Sequence, residues 1–275
     1  MAKPNIKAVL LSPRRTLGEK PLLVVGPSLG TSTVLWSDTA ALLGDDFDVI
    51  GWDLPGHGVS PAASETFSVA ELADAVVDLV DSMTPSGKAP VVFHYAGVSL
   101  GGATGLQLAI KHGERLASLS VQCTGAKLGT PEGWLERAET VRAQGTAVMI
   151  QGSAQRWFAP GFMERQPVIS SRLLHSLRDA DRFSYAFCCE ALAGFDVRSE
   201  LASISVPTQA LAGVEDTVAP PSFAEEIAAG INSGFNAAGG SAVSVALDGV
   251  GHLAPAEAPA VVADLMRTFM KEAGK

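Results

Sequence analysis

The segment Gly97-Val98-Ser99-Leu100-Gly101 places a serine between closely spaced glycines, after the apolar run around Val91 to His94 and before a helical pattern carrying Leu106, Ala109 and Ile110. A sharp strand-to-helix turn forces such a serine into a strained backbone conformation and lifts its hydroxyl over the strand end; glycine alone lets the neighbouring chain pass so closely. The helix that follows turns its positive end toward developing negative charge. Serine is a poor nucleophile at neutral pH, so acyl transfer here demands a base and a group to orient it. The chain order Ser, then acid, then His indicates where these lie. His252, in Gly249-Val250-Gly251-His252, follows the last apolar run and precedes the last helical pattern, on a loop able to lean over Ser99. Asp216, in Gly213-Val214-Glu215-Asp216, follows the run Pro207 to Ala212 and can accept the second imidazole N–H, with Glu215 as the local competitor. The other position for an acid, just after Leu116 to Val121, holds Gln122, Cys123 and Thr124, none of them acidic.

A tetrahedral intermediate needs two donors for its oxygen. Leu100, directly after the nucleophile, supplies one backbone N–H, and Leu29, in the loop after Leu22 to Gly26, supplies the other. Of the remaining histidines, His57 in Asp53-Leu54-Pro55-Gly56-His57-Gly58 reads as structural or pocket-rimming, and His94 as buried in the strand before Ser99. His112 closes the helix after Ser99, where its charged form favours the helix C-terminus, and His175 lies in a helical stretch further on.

These groups must be positioned by a scaffold. Apolar runs at Pro21 to Gly26, Phe47 to Trp52, Pro90 to Tyr95, Leu116 to Val121, Pro207 to Ala212 and Ala242 to Leu247 read as buried parallel strands. Helical stripes separate several of them, opened by the capping boxes Ser68-x-x-Glu71 and Ser222-x-x-Glu225. Such alternation implies an α/β fold, a mostly parallel sheet flanked by helices. It fails over residues 125–205, which carry helical patterns, the helix start Thr130-Pro131 and the large residues Trp134, Trp157, Phe158, Phe162, Phe183, Tyr185 and Phe187. The expected organisation is a core of residues 1–124 and 206–275 with an inserted helical cap over 125–205. Most of the cap aromatics are expected to pack it onto the core, the rest to line a pocket. The stretch Asn232 to Ser241 reads as a surface loop.

A net charge of −9 repels phosphate backbones, and no basic run offsets it, so nucleic acid is not an expected partner. No apolar run reaches the length of a membrane span, and the N-terminal stretch runs into a short strand-like segment without the pattern of a secretory signal. Cys123, Cys188 and Cys189 suit neither a disulfide framework nor a zinc site, so a cytoplasmic location without metal is expected. A homo-oligomer is compatible with this composition.

With Asp53-Leu54-Pro55-Gly56-His57-Gly58-Val59-Ser60 in place, the sequence resembles the α/β-hydrolase superfamily. Ser28-Leu29-Gly30-Thr31, Ser99-Leu100-Gly101-Gly102, Gly129-Thr130-Pro131-Glu132-Gly133-Trp134 and Arg156-Trp157-Phe158 resemble 3-oxoadipate enol-lactonases within it. The resemblance implies a helical cap, no cofactor, and hydrolysis of a small carboxylated enol-lactone. An anionic lactone calls for a cationic partner, and Trp134 with Arg137, or Arg156 with Trp157, are the candidates. Pro27, His94-Tyr95-Ala96 and the enlarged loop Asn232 to Ser241 depart from that pattern and bear on the substrate rather than the mechanism. The competing readings are a general carboxylesterase or perhydrolase-like enzyme on the same fold, distinguished by screening enol-lactones against short esters, and a non-enzymatic ligand-binding module, distinguished by failure of a fluorophosphonate to label Ser99.

Overall fold

The computed structural model describes residues 3–12, 20–83, 90–234 and 241–273. Strands β1 (Lys7–Leu10), β2 (Leu22–Gly26), β3 (Asp48–Asp53), β4 (Phe93–Val98), β5 (Leu116–Gln122), β6 (Thr208–Gly213) and β7 (Ala242–Leu247) form one sheet in the order β1-β3-β2-β4-β5-β6-β7. Each of the six apolar runs in the sequence coincides with a strand. The N-terminal strand-like segment adds β1, paired antiparallel to β3, and every other pairing is parallel. Strands β3, β4 and β6 are buried along their whole length, as expected of a sheet covered on both faces, whereas edge strand β7 exposes Val243.

Strand β4 starts at Phe93 rather than Pro90. The Val91 carbonyl is taken by the Arg115 side chain at 3.1 Å, and the register with β5 shifts between Phe93 and His94, so pairing begins later. It then continues to Val98, which delivers the chain directly into the Ser99 turn. Strand order reverses between β2 and β4, and the crevice beyond the carboxyl ends of two such strands is where open α/β sheets bind ligands.

Helices α1 (Ser37–Leu43), α2 (Val69–Ser82) and α3 (Leu100–His112) follow β2, β3 and β4. The Ser68 cap is complete: the Ser68 hydroxyl accepts the Glu71 N–H at 3.2 Å, and the Glu71 carboxylate accepts the Ser68 N–H at 2.7 Å. The second expected capping box does not form. Helix α9 (Pro221–Ser233) begins at Pro221, whose fixed φ suits the first helical position, so Ser222 already lies inside the first turn. Between β5 and β6 run α4 (Pro131–Gln144), α5 (Ile150–Trp157), α6 (Phe162–Arg165), α7 (Pro167–Asp179) and α8 (Arg182–Ala193). Thr130 caps α4 by accepting the Gly133 N–H, α4 packs on α8, and the strands of chain entering and leaving this interval meet at an antiparallel bridge between Lys127 and Asp196. After β7 come the short α10 (Ala254–Glu257) and α11 (Pro259–Ala273), which packs against α1. Of the expected loop Asn232 to Ser241, residues 235–240 lie outside the described residues; Asn232 belongs to α9 and its side-chain amide exchanges two hydrogen bonds, each 2.9 Å, with the Ala242 backbone.

Replacing Ser68 by Ala is expected to cost about 1 kcal/mol of unfolding free energy. Replacing the exposed Ser222 by Ala should change it by less than about 0.5 kcal/mol, and urea denaturation of the two variants checks the difference.

Candidate active site

Ser99 sits between β4 and α3 with φ 55° and ψ −115°, a region that L-residues other than glycine rarely occupy. The turn is held from three sides. Ser99 N–H donates to the Gln122 carbonyl at 2.9 Å, and the Ser99 carbonyl accepts from the Thr124 hydroxyl and the Ala103 N–H, both at 2.8 Å. A Cβ on Gly97 would lie 2.2 Å from the Gly101 carbonyl oxygen, and one on Gly101 would lie 2.7 Å from the Gly26 and Pro27 backbone. Gly101 N–H also donates to the Pro27 carbonyl at 3.0 Å. The serine turn is thereby pressed onto the end of β2, whose next residues form a tight turn in which Thr31 donates to the Ser28 carbonyl through both its N–H and its hydroxyl.

Asp216 and His252 meet although 36 positions separate them: His252 Nδ1 donates to Asp216 Oδ2 at 2.8 Å. The other carboxylate oxygen, Oδ1, accepts the Val218 and Ala219 N–H groups at 2.8 and 3.0 Å, so Asp216 is fully committed and its side chain fully buried. That bond fixes the proton on Nδ1 and leaves Nε2 as the imidazole's basic atom. Glu215 does not join His252 and is solvent-facing.

Ser99 and His252 line one cavity of about 280 Å³, together with Ser28, Leu29, Trp134, Arg137, Arg156, Trp157 and Tyr185. Of the nine residues expected to be catalytic, to line the oxyanion hole or to bind substrate, all line it except Asp216, which bonds His252, and Leu100, which is wholly buried at the start of α3. Arg137 lies over the Trp134 ring at 4.7 Å and shares the cavity lining with Tyr185. Arg156 is half-buried; burial, reinforced by the neighbouring Arg137 charge, draws its pKa below the ordinary arginine value. Among the described residues, neither guanidinium makes an ion pair. Two cations thus face a shared space that no carboxylate lines. Phe158 and Phe162 stack on one another and are buried, Phe187 packs partly buried against the core, and Phe183 is exposed.

Sequence reasoning passed over Tyr185 as a cavity residue, and over Thr217, Val218 and Glu257. The first three have no periodic signal, whereas Glu257 stands five positions beyond His252 and takes the N–H groups of Gly251 and Leu253. His94 is buried and bonds the Ser118 hydroxyl at 2.8 Å. His112 pairs with Asp74 at 2.7 Å, and His175 is exposed on α7. His57 is buried outside the cavity: Nδ1 donates to the Pro55 carbonyl, its ring stacks on Tyr185, and its Nε2 has no partner. Among the described residues no cluster of His, Cys, Asp and Glu is arranged to hold a metal ion, and no helix is long and apolar enough to cross a membrane.

The alpha/beta hydrolase family model matches residues 22–265, from β2 to the middle of α11. The chain belongs to the alpha/beta hydrolase family. Among members of this family, it is 38% identical to 3-oxoadipate enol-lactonase 2 of Acinetobacter baylyi over 201 residues, 73% of each chain. It is 37% identical to 3-oxoadipate enol-lactonase 1 of the same organism over 198 residues, 72% of each. The crystal structure of the enol-lactonase from Burkholderia xenovorans LB400 superposes with a TM-score of 0.86 at 28% identity, covering 98% of this chain and 99% of that one.

Burial without a partner for Nε2 pulls the His57 pKa down to about 4. Below pH 6.5 an unfolded chain takes up this proton while the folded one does not until about pH 4, so acid favours unfolding across that window. Stability is expected to fall there by up to about 1.4 kcal/mol per pH unit from this residue. Urea titrations between pH 7 and 4 should show a shallower fall for His57→Gln than for the parent.

Proposed function

We propose that this chain is a serine hydrolase that opens a small carboxylated enol-lactone of the 3-oxoadipate enol-lactone type. Ser99 is the nucleophile, His252 the general base and Asp216 the residue that orients it. The observation that carries this reading is the Asp216-held imidazole sharing a cavity with a strained serine and two unpaired arginines. The kinship with the two Acinetobacter baylyi 3-oxoadipate enol-lactonases supports the choice of acyl group. Residues 125–205 act as a cap on a core formed by 1–124 and 206–275.

Ser99 Oγ attacks the lactone carbonyl while His252 Nε2 takes its proton. The tetrahedral oxyanion is met by the Leu29 and Leu100 backbone N–H groups at the positive end of α3. Collapse breaks the ring C–O bond, and His252 returns the proton to the departing enol oxygen, which stays tethered through the acyl chain. Water then attacks the ester carbon with His252 again as base. As the tetrahedral intermediate collapses, the bond to Ser99 Oγ breaks, His252 returns the water's proton to that oxygen, and the product leaves with a second carboxyl group. Asp216 stabilises the imidazolium in both halves without itself taking a proton. Arg137 and Arg156, sharing the lining with Trp134 and Trp157, hold the carboxylate that the substrate already carries, and that anion offsets the burial of the Arg156 charge.

Turnover of the enol-lactone by Ser99→Ala should fall by about three orders of magnitude or more, with an unchanged circular dichroism spectrum. Near-normal turnover would overturn the assignment of Ser99. Replacing Arg137 or Arg156 by Gln should raise KM for the carboxylated lactone about tenfold, the scale of one hydrogen bond to a charged group. KM for the neutral p-nitrophenyl acetate should stay within about twofold of the parent value. An equal effect on both substrates, or faster hydrolysis of the short ester throughout, would point to a general carboxylesterase.

A further inference from the structure

Glu257 ends the short α10 and is half-buried, yet its carboxylate touches no cation among the described residues. Its two oxygens divide their work. Oε1 accepts the N–H groups of Gly251 at 3.1 Å and Leu253 at 3.3 Å, the residues on either side of His252. Oε2 reaches out of the loop and accepts the N–H of Ala159 at 2.8 Å, in the chain that joins α5 to α6.

The same short strap is attached a second time. His252 N–H donates to the Trp157 carbonyl at 2.9 Å, so residues 157 and 159 both bond to the His252 loop through backbone groups. Gly251 shows how closely the two segments pass: a Cβ there would lie 2.7 Å from the Ala159 nitrogen and 2.9 Å from Glu257 Oε1. Trp157 itself lines the cavity, and its ring packs against Gly30 in the turn that presents Leu29. One carboxylate therefore ties the base loop to the segment whose side chain forms the pocket wall.

From this arrangement, and resting on the reading of Ser99 and His252 given above, we infer that Glu257 is a positioning residue for His252. It clamps the backbone on both sides of the imidazole and anchors that loop to the strap at 157–159. Two features favour this over a role in stability alone. Burial raises the Glu257 carboxyl pKa above its ordinary value despite three amide donors and the nearby His252, so the ionised form is costly to keep inside the fold. The site also spends both oxygens on the two segments that frame the reacting groups, rather than on an ion pair.

The test uses the full chain with p-nitrophenyl acetate as substrate, active sites counted by fluorophosphonate labelling run to completion, and thermal melting as the check on folding. Glu257→Gln keeps the volume but turns one acceptor into a donor, so it can serve only one side of the clamp; Glu257→Met keeps the volume and serves neither. We expect kcat per labelled site to fall about tenfold for Gln and about a hundredfold for Met, with KM within twofold, since small displacements of a reacting group cost rates of this order. A lower melting temperature with kcat per site unchanged would overturn the inference, as would a rise in KM alone. Should the Met variant fail to fold, the Gln result decides. Failure of the underlying reading is separately visible, because Ser99→Ala would then retain turnover or the parent would not be labelled at Ser99.

Discussion

The backbone at Ser99 is bent into a conformation that costs a non-glycine residue of the order of 1–3 kcal/mol, and such strain persists only where the surroundings over-determine it. Here they do so from three elements at once. Strand β5 and Thr124, two residues beyond it, bind the Ser99 amide and carbonyl, α3 starts from that same carbonyl, and the end of β2 occupies the volume that side chains at Gly101 would need. Tyr95, buried in β4, adds its hydroxyl to the Gly101 carbonyl at 2.9 Å. The constraint fixes the serine to the point where strand order reverses, and the same contact ties it to the turn bearing Leu29. A hydroxyl and a neighbouring backbone donor are thus set relative to one another by packing that is complete before any ligand arrives.

Charge placement follows a second logic. Arg115, Arg142 and Arg267, each partly covered, lie against Asp81, Glu190 and Asp46. Arg137 and Arg156 instead line one cavity near each other in a chain whose net charge is −9. Keeping two cations close together under partial burial is unfavourable unless something anionic joins them. Tryptophan faces beside both guanidiniums supply apolar wall and, for Arg137, a cation–π contact. A hydroxyl, an imidazole and two guanidiniums without ion pairs among the described residues thus line one cavity.

The helices between β5 and β6 also meet the His252 side of the site. The strap at 157–159 bonds to the His252 loop, while the Trp157 ring and Leu177 press on Gly30. One short segment therefore touches the loop carrying the imidazole and the turn carrying Leu29. Displacement of these helices would be felt at both places, so pocket shape and the alignment of the reacting groups are linked through ordinary packing and backbone hydrogen bonds.

Local chemistry made much of this legible in advance. Six apolar runs, a Ser68-x-x-Glu71 box and a Gly-x-Ser-x-Gly turn each depend on nearest neighbours along the chain, so the strands, α2 and the serine turn were readable as a string of residues. Proximity between His252 and Asp216 was expected only from chain order; the 2.8 Å bond arises because β6 and β7 lie side by side and bring the loops at their ends together. Ser222 misled because a cap is defined by where a helix begins, and Pro221 moved that start forward. Glu257 and Tyr185 carry no periodic signature: one acts through amides supplied by 251, 253 and 159, the other reaches the cavity only because α8 packs on α4. Identity and order of Ser99, Asp216 and His252 are local properties of the sequence, whereas the partners of a carboxylate or a cavity wall are chosen by segments distant in the chain, and only folding brings those into contact.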